Sequence, residues 1–376
     1  MKRILLTCTD LMAVQFFTEH IKFWHENSYC VDLACSPVGG RVGELVEFFG
    51  GIENGSIKTV DLNRSPFKMS NLKGLLQLIK IAKKEHYDNV VTNEPVMGLL
   101  TRLAFANKKG TKVTYIAHGF HFYKGGPKLN NLIYKAIEGF AAHFTDILVT
   151  INKEDFEAAK KFRLKKNGTV YHIPGIGVST SRFYKSSKED CVEIRKELGL
   201  SGDDFVVVVI GELNDNKNQE TIIRAIASLK DECPGLKALF LGQGEKTEYL
   251  ENLCNELNVD DRIQFLGYRH DVSRVLSVCN LGVSASIREG LGVNIIEEMA
   301  SGLPIVASEN RGHRDIMTED SGILVQATSF DAFAEAIQSF YKSPEKCEIV
   351  SKNNFELCKQ FDVEAVKPLL LSIIEG

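Results

Sequence analysis

Short runs of apolar residues alternate along this chain with longer segments in which apolar residues recur every three or four positions. The short runs are typical of buried strands, and the three-to-four spacing is typical of helices that pack on one face. Up to residue 163 the pattern predicts strands at 2–9, 29–36, 56–62, 88–92, 111–117 and 146–151. Between them it predicts helices at 11–26, 41–50, 69–85, 95–107, 128–143 and 152–163. Such alternation indicates a parallel sheet that helices cover on both faces.

A second alternating series follows residues 172–184 (HIPGIGVSTSRFY), which have the composition of a linker. The strands predicted there are 205–210, 237–241, 262–266, 281–283, 305–308 and 322–325. The helices are 216–231, 246–258, 271–279, 292–302 and 329–341, with two closing helices at 345–360 and 363–375. Because 376 residues exceed what a single hydrophobic core usually serves, the doubling predicts two domains of the same α/β class.

The overall composition is that of a soluble protein, with 44% hydrophobic and 25% charged residues. The nine cysteines form no C-x-x-C pair, which predicts reduced thiols in a cytosolic compartment and no zinc site. The N-terminal apolar run is too short for a signal peptide, and no apolar run approaches the roughly 20 residues of a membrane span. We therefore expect a cytoplasmic protein that is soluble or peripheral at a membrane.

Charge is divided unevenly between the two halves. Residues 1–175 contain 24 Lys and Arg against 16 Asp and Glu, a net charge of +8. Residues 176–376 contain 21 against 33, a net charge of −12, which together give the −4 of the whole chain. The basic half suggests contact with an anionic surface or acceptor. Chance segregation of exposed lysines explains the same numbers, and both interpretations stay open.

Polar residues follow three predicted strands of the first half, where ligands of parallel sheets bind. These residues are Thr9-Asp10, Asn93-Glu94-Pro95 and Ala117–His121. His118 is a candidate site residue because Gly119 lets a ligand approach, although a histidine bonded within a crevice fits the same position. His121 is ambiguous, since it could stack on Phe120, Phe122 and Tyr123.

The segment 124–143 predicts a lysine-flanked helix with an apolar stripe formed by Leu129, Leu132, Ile133, Ala136, Ile137 and Phe140. Such a helix lies either at an anionic membrane surface or against its own sheet. We favour packing against the sheet, because any packed helix shows this stripe.

The stretch 284–304 (SASIREGLGVNIIEEMASGLP) predicts a strand end, a glycine loop and a helix N-terminus. Unpaired N–H groups and the helix dipole make such a junction an anion site. Two acids, Glu289 and Glu297, frame it. Carboxylates beside an anion site suit a ligand that carries both phosphate and hydroxyl groups, such as a sugar nucleotide.

Other loops of the second half add to this site. In residues 211–218 (GELNDNKN), Lys217 offers a positive charge to phosphate and Gly211 permits close backbone approach. Gly242-Gln243-Gly244 lacks the third glycine of a dinucleotide fingerprint, which argues against a nicotinamide cofactor. Gly267-Tyr268-Arg269 could present a ring and backbone groups to a base. The chain has no phosphate loop, nucleophile elbow, H-E-x-x-H or D-x-D motif, so no metal is expected.

These motifs together resemble the family 4 retaining glycosyltransferases. The resemblance rests on Glu289 and Glu297 in REGLGVNIIEE, preceded by GELNDNKNQE and followed by ASGLPIVAS and GHRD. The upstream AHGFHFYKGGP and TDILVTINKEDFEAAKKF resemble the bacterial capsule and exopolysaccharide branch of that family. The family commonly has Arg where this chain has Glu212. Asn93-Glu94-Pro95 also departs from the family, in which a Thr more usually precedes the Pro.

The resemblance implies the GT-B fold, with two Rossmann-like α/β/α domains facing a central cleft. Residues 1–175 would bind the acceptor and residues 176–360 the nucleotide-sugar donor. A C-terminal helix at about 361–376 would pack back on the first domain.

It also implies roles for single residues. Glu289 would contact the hydroxyls of the donor sugar and Glu297 those of the ribose. Lys217 would hold the diphosphate, assisted by N–H groups of 291–293, and His118 would lie near the anomeric carbon. Further donor contacts are expected at Gly211, Glu212, Asn218, Gly242, Tyr268, Arg269, Gly290, Leu291, Gly292 and Val293. Acceptor contacts are expected at Asp10, Asn93, Glu94 and His121.

The function implied is transfer of a hexose or N-acetylhexosamine from a UDP-sugar, with retention and without metal. The acceptor would be a polyprenyl-diphosphate-linked saccharide at the cytoplasmic membrane face, with no nucleic acid involved. Two alternatives stay open. One is an isomerase similar to the UDP-N-acetylglucosamine 2-epimerases, and the other is a non-catalytic partner that only binds sugar nucleotide or glycan.

Overall fold

The computed structural model describes residues 1–37, Glu47 and residues 55–376. The described chain divides into two compact units, residues 1–177 with 363–376, and residues 178–362. Apart from Glu47, the helix predicted at 41–50 lies outside the described residues.

The first unit is built on a seven-stranded parallel sheet in the order β3-β2-β1-β4-β5-β6-β7. Its strands are β1 (Lys2–Asp10), β2 (Tyr29–Ser36), β3 (Ile57–Thr59), β4 (Asn89–Asn93), β5 (Lys112–Ala117), β6 (Ile147–Thr150) and β7 (Thr169–His172). Its helices are α1 (Leu11–Val14), α2 (Thr18–Glu26), α3 (Ser70–Lys84), α4 (Pro95–Ala104), α5 (Lys128–Ala142) and α6 (Lys153–Ala159), and α15 (Val363–Glu375) returns to this unit.

The second unit contains a six-stranded parallel sheet in the order β10-β9-β8-β11-β12-β13. Its strands are β8 (Phe205–Ile210), β9 (Leu236–Leu241), β10 (Ile263–Gly267), β11 (Leu281–Ser284), β12 (Ile305–Ser308) and β13 (Gly322–Val325). Its helices are α7 (Lys188–Glu197), α8 (Gln219–Ser228), α9 (Thr247–Glu256), α10 (Val272–Leu276), α11 (Val293–Ala300), α12 (Arg311–Ile316), α13 (Phe330–Tyr341) and α14 (Pro344–Leu357). Short 3-10 helices lie at Gln15–Phe17, Thr180–Arg182 and Cys358–Phe361.

The sequence pattern did not predict three of the described helices and strands, because each carries few apolar residues. β7 is a four-residue edge strand, α12 has six residues, and α7 buries only Ile194 and Arg195. The helix predicted at 11–26 is also interrupted by a 3-10 turn at Gln15–Phe17, where Phe16 is exposed and Phe17 is buried.

The prediction that the apolar stripe of α5 packs against the sheet is wrong. Its apolar stripe faces solvent, with Leu129 and Leu132 each 68% exposed and Phe140 55% exposed. The buried side instead carries Glu138, Ala141 and Ala142. Glu138 is drawn inward because it pairs with the buried Arg102 of α4, at 2.9 Å between Oε2 and the guanidinium.

Candidate functional site

At the carboxyl edge of the second sheet, the loops after β8, β9 and β10 are joined through their backbones. The N–H of Gly211 donates to Leu241 O at 2.9 Å, and the N–H of Gly242 donates to Gly267 O at 2.9 Å. An added Cβ at Gly242 would lie only 1.9 Å from Gly211 O, and Gly242 has φ of 147°. Gly211 lies in turn against the side chain of Lys217, so these two glycines bring the loops together under the lysine.

Lys217 and Glu289 form an ion pair at this edge, with 2.7 Å between Nζ and Oε1. Both side chains are mostly buried. Burial alone would raise the pKa of Glu289, but the charge and hydrogen bond of Lys217, with Ser286 and His313, lower it below its ordinary value. Glu289 is therefore ionised at neutral pH and fixed beside a cation.

The loop that carries Glu289 is held at several points before it enters α11. Ile287 N–H donates to Asn216 O at 2.7 Å, and Arg311 donates to Glu289 O at 3.3 Å. Gly292 has φ of 100° and precedes the helix without a side-chain cap. The first turn of α11 thus offers backbone N–H groups at a positive helix end, with Gly290 and Leu291 in the loop before it and Val293 partly exposed.

His313 is a residue of this site to which the sequence pattern gave no role. Its Nδ1 lies 2.8 Å from Ser308 O and 3.0 Å from Asn310 Nδ2. Burial lowers the pKa of His313 to about 4, although Glu289 and the bond to Ser308 act in the opposite sense. Its Nε2 lies near Gly292 and has no hydrogen-bond partner within the described part of the chain. The GHRD motif was visible, but only the fold shows that its histidine supports the glycine loop.

Two neighbouring acids in α11 differ in exposure. Glu297 is half-buried, and burial raises its pKa to about 7 despite the nearby Arg182. Glu298 is fully buried beside Gly282, and burial raises its pKa to about 8. Glu297, the predicted ribose contact, is the one that retains access to solvent.

The remaining predicted donor contacts are partly engaged within the unit. Asn218 donates through Nδ2 to Ala327 O at 2.8 Å, which ties the start of α8 to the loop after β13. Arg269 holds Asp271 through two hydrogen bonds of 2.6 and 2.7 Å. Glu212 is exposed and accepts from Asn214, whereas Tyr268 is exposed and packs edge-on against His270.

In the first unit, Asp10 and Glu94 lie together at the carboxyl edge of β1 and β4. Arg64, a residue to which the sequence pattern gave no role, contacts Asp10 at 2.7 Å and Glu94 at 3.9 Å. Glu94 accepts from Thr9 N–H at 2.6 Å and has a strained positive φ of 63°. Asn93 is 1% exposed and donates to Thr7 O, so it holds β1 and β4 together from inside.

The two candidate histidines follow β5 of the first unit. His118 keeps partial exposure and packs edge-on against Phe17, with ring centres 6.2 Å apart. Burial lowers its pKa to about 4, so the ring is neutral at pH 7. His121 lies 5.1 Å from the ring of Tyr134 in α5.

The described residues contain no group of three or more His, Cys, Asp or Glu side chains placed to hold a metal ion. No helix in the described ranges is long and apolar enough to cross a membrane.

Comparison with known families matches both units. The model described as "Glycosyl transferases group 1" matches residues 191–357, and the one described as "Glycosyl transferase 4-like" matches residues 11–152. The protein EpsD of Bacillus subtilis (strain 168), named as a glycosyltransferase, is 38% identical over 306 residues, which are 81% of this chain and 80% of EpsD. A UDP-Gal:alpha-D-GlcNAc-diphosphoundecaprenol alpha-1,3-galactosyltransferase of Escherichia coli is 29% identical over 318 residues, 81% of each chain.

Solved structures show the same fold at lower identity. Anabaena HepE, crystallised with UDP and glucose, matches with a TM-score of 0.82 at 18% identity, over 100% of both chains. The lipopolysaccharide glycosyltransferase WaaG matches with a TM-score of 0.76 at 16% identity, over 99% of this chain and 100% of WaaG. The two Rossmann-like units are therefore those of the GT-B fold, and the chain belongs to the family 4 glycosyltransferases of the exopolysaccharide type.

Proposed function

We propose that this glycosyltransferase moves a hexose or N-acetylhexosamine from a UDP-sugar to a polyprenyl-diphosphate-linked saccharide, with retention at the anomeric carbon. The observation that carries the proposal is the Lys217–Glu289 pair beside the uncapped N-terminus of α11. A cation, a carboxylate and backbone N–H groups in one place suit a ligand that combines phosphate with hydroxyls.

The leaving diphosphate gains negative charge as the bond to the sugar breaks. Lys217 has three N–H donors, of which Glu289 occupies one, so the others can reach a phosphate oxygen. With the first-turn N–H groups of α11, they would stabilise this charge most in the transition state, without a metal ion. Glu289 would accept from hydroxyls of the sugar, and Glu297 from those of the ribose.

The acceptor proposal rests on the first unit and on a relative. The E. coli relative is named for an acceptor on diphosphoundecaprenol. We assign the acceptor to the edge that carries Asp10, Glu94, His118 and His121. The departing phosphate oxygen would take the proton of the acceptor hydroxyl, which gives retention by attack on the same face. Such a reaction would build a cell-surface polysaccharide at the cytoplasmic face of the membrane.

The test incubates the purified protein with a panel of UDP-sugars and GlcNAc-diphospholipid, with and without EDTA. The expected result is UDP release that requires the acceptor and survives EDTA, with the product anomer matching the donor by NMR. Conversion of UDP-N-acetylglucosamine alone to its 2-epimer would contradict transfer. Binding of UDP without its release from any donor would favour the non-catalytic alternative.

A further inference from the structure

The apolar stripe of α5 is exposed on a helix that cannot turn it inward. Its inner side carries Glu138, which pairs with Arg102 at 2.9 Å and accepts from the Tyr115 hydroxyl at 3.2 Å. The Arg102 guanidinium also lies 3.9 Å from the centre of the Tyr115 ring. Rotating the helix would strip a buried arginine of its partner, at a cost of about 3–5 kcal/mol. The outward orientation is therefore fixed by the fold.

A second exposed apolar stripe runs along α3 and the residues before it. Phe67, Met69, Leu72 and Leu76 are 93%, 81%, 56% and 61% exposed. The opposite side of α3 is buried through Asn71, Gly74, Leu78 and Ala82. Helix α3 therefore has apolar side chains on its outer face as well as on its buried face.

Both stripes lie on the same face of the first sheet. Leu78 of α3 belongs to the core cluster of Val113, while Glu138 of α5 meets Tyr115. Val113 and Tyr115 are two residues apart on β5 and so point to the same side of the sheet. Between the two helices lies α4, which packs against each of them and whose Leu99 and Leu103 are half-buried. We call the exposed apolar residues of α3 and α5, with their neighbouring lysines, the outer face.

Lysines border this outer face. Lys128 and Lys135 fall within about 60° of Leu132 around α5, at about 100° per residue. Lys68 and Lys73 adjoin the stripe of α3, and Lys124 precedes α5, all of them exposed. Residues 61–142 contain 13 Lys and Arg against 5 Asp and Glu, a net charge of +8, and one of these lysines, Lys73, pairs with Asp61 at 2.8 Å.

The combination of exposed apolar side chains with bordering lysines fits a lipid surface better than a protein partner. Lysine is depleted in protein–protein interfaces, whereas helices with one apolar side and flanking lysines lie in the interface of anionic membranes. Lysine stems can follow apolar surface while their ammonium groups reach lipid phosphates. The charge of the outer face is therefore complementary to an anionic bilayer.

We propose that the outer face docks on an anionic lipid bilayer, with α3 and α5 lying parallel to its plane. This proposal rests on the proposed function, because a lipid-linked acceptor gives docking its purpose. The loop 118–127 leads directly into α5, and His121 contacts Tyr134 of that helix. Docking would consequently hold the candidate acceptor residues of this loop close to the membrane surface.

The test measures flotation of the full chain with vesicles of neutral phosphatidylcholine, alone or mixed with phosphatidylglycerol. Wild type should float with the mixed vesicles and much less with neutral ones, and high salt should weaken binding. Leu132→Ser with Phe140→Ser should lower the bound fraction at least tenfold. Lys128→Glu with Lys135→Glu should abolish the preference for anionic lipid. Matched controls are Val192→Ser with Leu369→Ser, and Lys188→Glu with Lys196→Glu, all at exposed positions elsewhere.

Transfer assays separate this proposal from the proposed function. The apolar variant should transfer sugar to a short-chain soluble acceptor like wild type, but lose most transfer to a long-chain acceptor in vesicles. If wild type transfers sugar and both outer-face variants bind vesicles as wild type does, the docking proposal is overturned and the proposed function stands. Vesicle binding without transfer from any donor would overturn the function alone. A wild-type dimer that the apolar variant converts to monomer would show a protein interface and also overturn docking.

Discussion

At the scale of single residues, the Lys217–Glu289 pair sets the charge state of the candidate site before any ligand arrives. Lys217→Met should remove the attraction that offsets the burial of Glu289, so the pKa of Glu289 should rise. We expect turnover to fall about 10²–10³-fold, as for loss of one preorganised donor, and the acid limb of kcat/KM to move to higher pH. The measurement is a pH–rate profile.

Lys237→Met is the matched control, because Lys237 donates to Asp261 O near the other end of β9. It should leave the profile unchanged. A Lys217→Met enzyme that keeps the wild-type acid limb would show that the pair does not govern the ionisation of the site.

Glu298 makes a separate prediction about stability. Its pKa is raised to about 8 in the folded chain, so folding takes up a proton above the ordinary pKa of glutamate. Stability associated with this group is fully present below about pH 4.5 and is lost as pH rises through 8. Glu298→Gln should therefore raise the free energy of unfolding by on the order of 4–5 kcal/mol at pH 8.5 and by less than about 1 kcal/mol at pH 5, at about 1.4 kcal/mol per pKa unit. Denaturant titration at both pH values measures this.

The exposed Glu335 of α13 provides the control, since Glu335→Gln should change little at either pH. Equal effects of Glu298→Gln at both pH values would rule out the protonated buried carboxyl.

Much of the candidate donor site was predictable because its residues follow predicted strands. Lys217 and Glu289 lie 72 positions apart, but both come after strands whose carboxyl ends share one sheet edge. His313 and Arg64 were not predictable in this way. Their roles depend on Gly292 and Glu94, and on distances that only the packed loops define.

At the scale of elements, close backbone contact between the β8 and β9 loops should make Gly242 irreplaceable. Gly242→Ala would place a methyl group 1.9 Å from Gly211 O at a φ of 147°. We expect a loss of about 3 kcal/mol in the free energy of unfolding, with weaker UDP binding, because the loops must separate. Thermal unfolding and calorimetric titration measure the two effects.

Gly202→Ala is the control within the same unit, because an added Cβ there meets no atom within 4 Å. Wild-type stability in Gly242→Ala would mean that the loops can move apart without cost.

Helix periodicity predicted α3 and α5 to within two residues at each end, yet it could not tell which side of α5 is buried. The stripe from Leu129 to Phe140 is the pattern of a packed helix. What decides the orientation is a single long-range pair, Glu138 with Arg102, 36 positions away. A hydrophobic pattern contains no information on such a partner.

At the scale of the whole molecule, the first unit depends on a helix from the far end of the chain. Leu370 of α15 is completely buried, and Glu375 accepts from the Tyr29 hydroxyl at 2.6 Å. Leu370→Ala should destabilise the first unit by about 2–5 kcal/mol through the cavity it leaves. Calorimetry should then show the first unit unfolding at a lower temperature, with the transition of the second unit unmoved.

The neighbouring Leu369 is 42% exposed, so Leu369→Ala should shift neither transition noticeably. A shift of the second transition instead would place the stabilising contacts of α15 elsewhere.

The return of α15 also has a consequence for synthesis on the ribosome. Residues 178–362 are translated completely before α15, although they follow the seven strands of the first sheet. Domains usually mature in the order in which they emerge, N-terminal first. Here the later unit can reach its native state while the earlier one still exposes the side of α2 against which α15 packs. The nascent first unit should therefore be the part of the chain that chaperones hold longest.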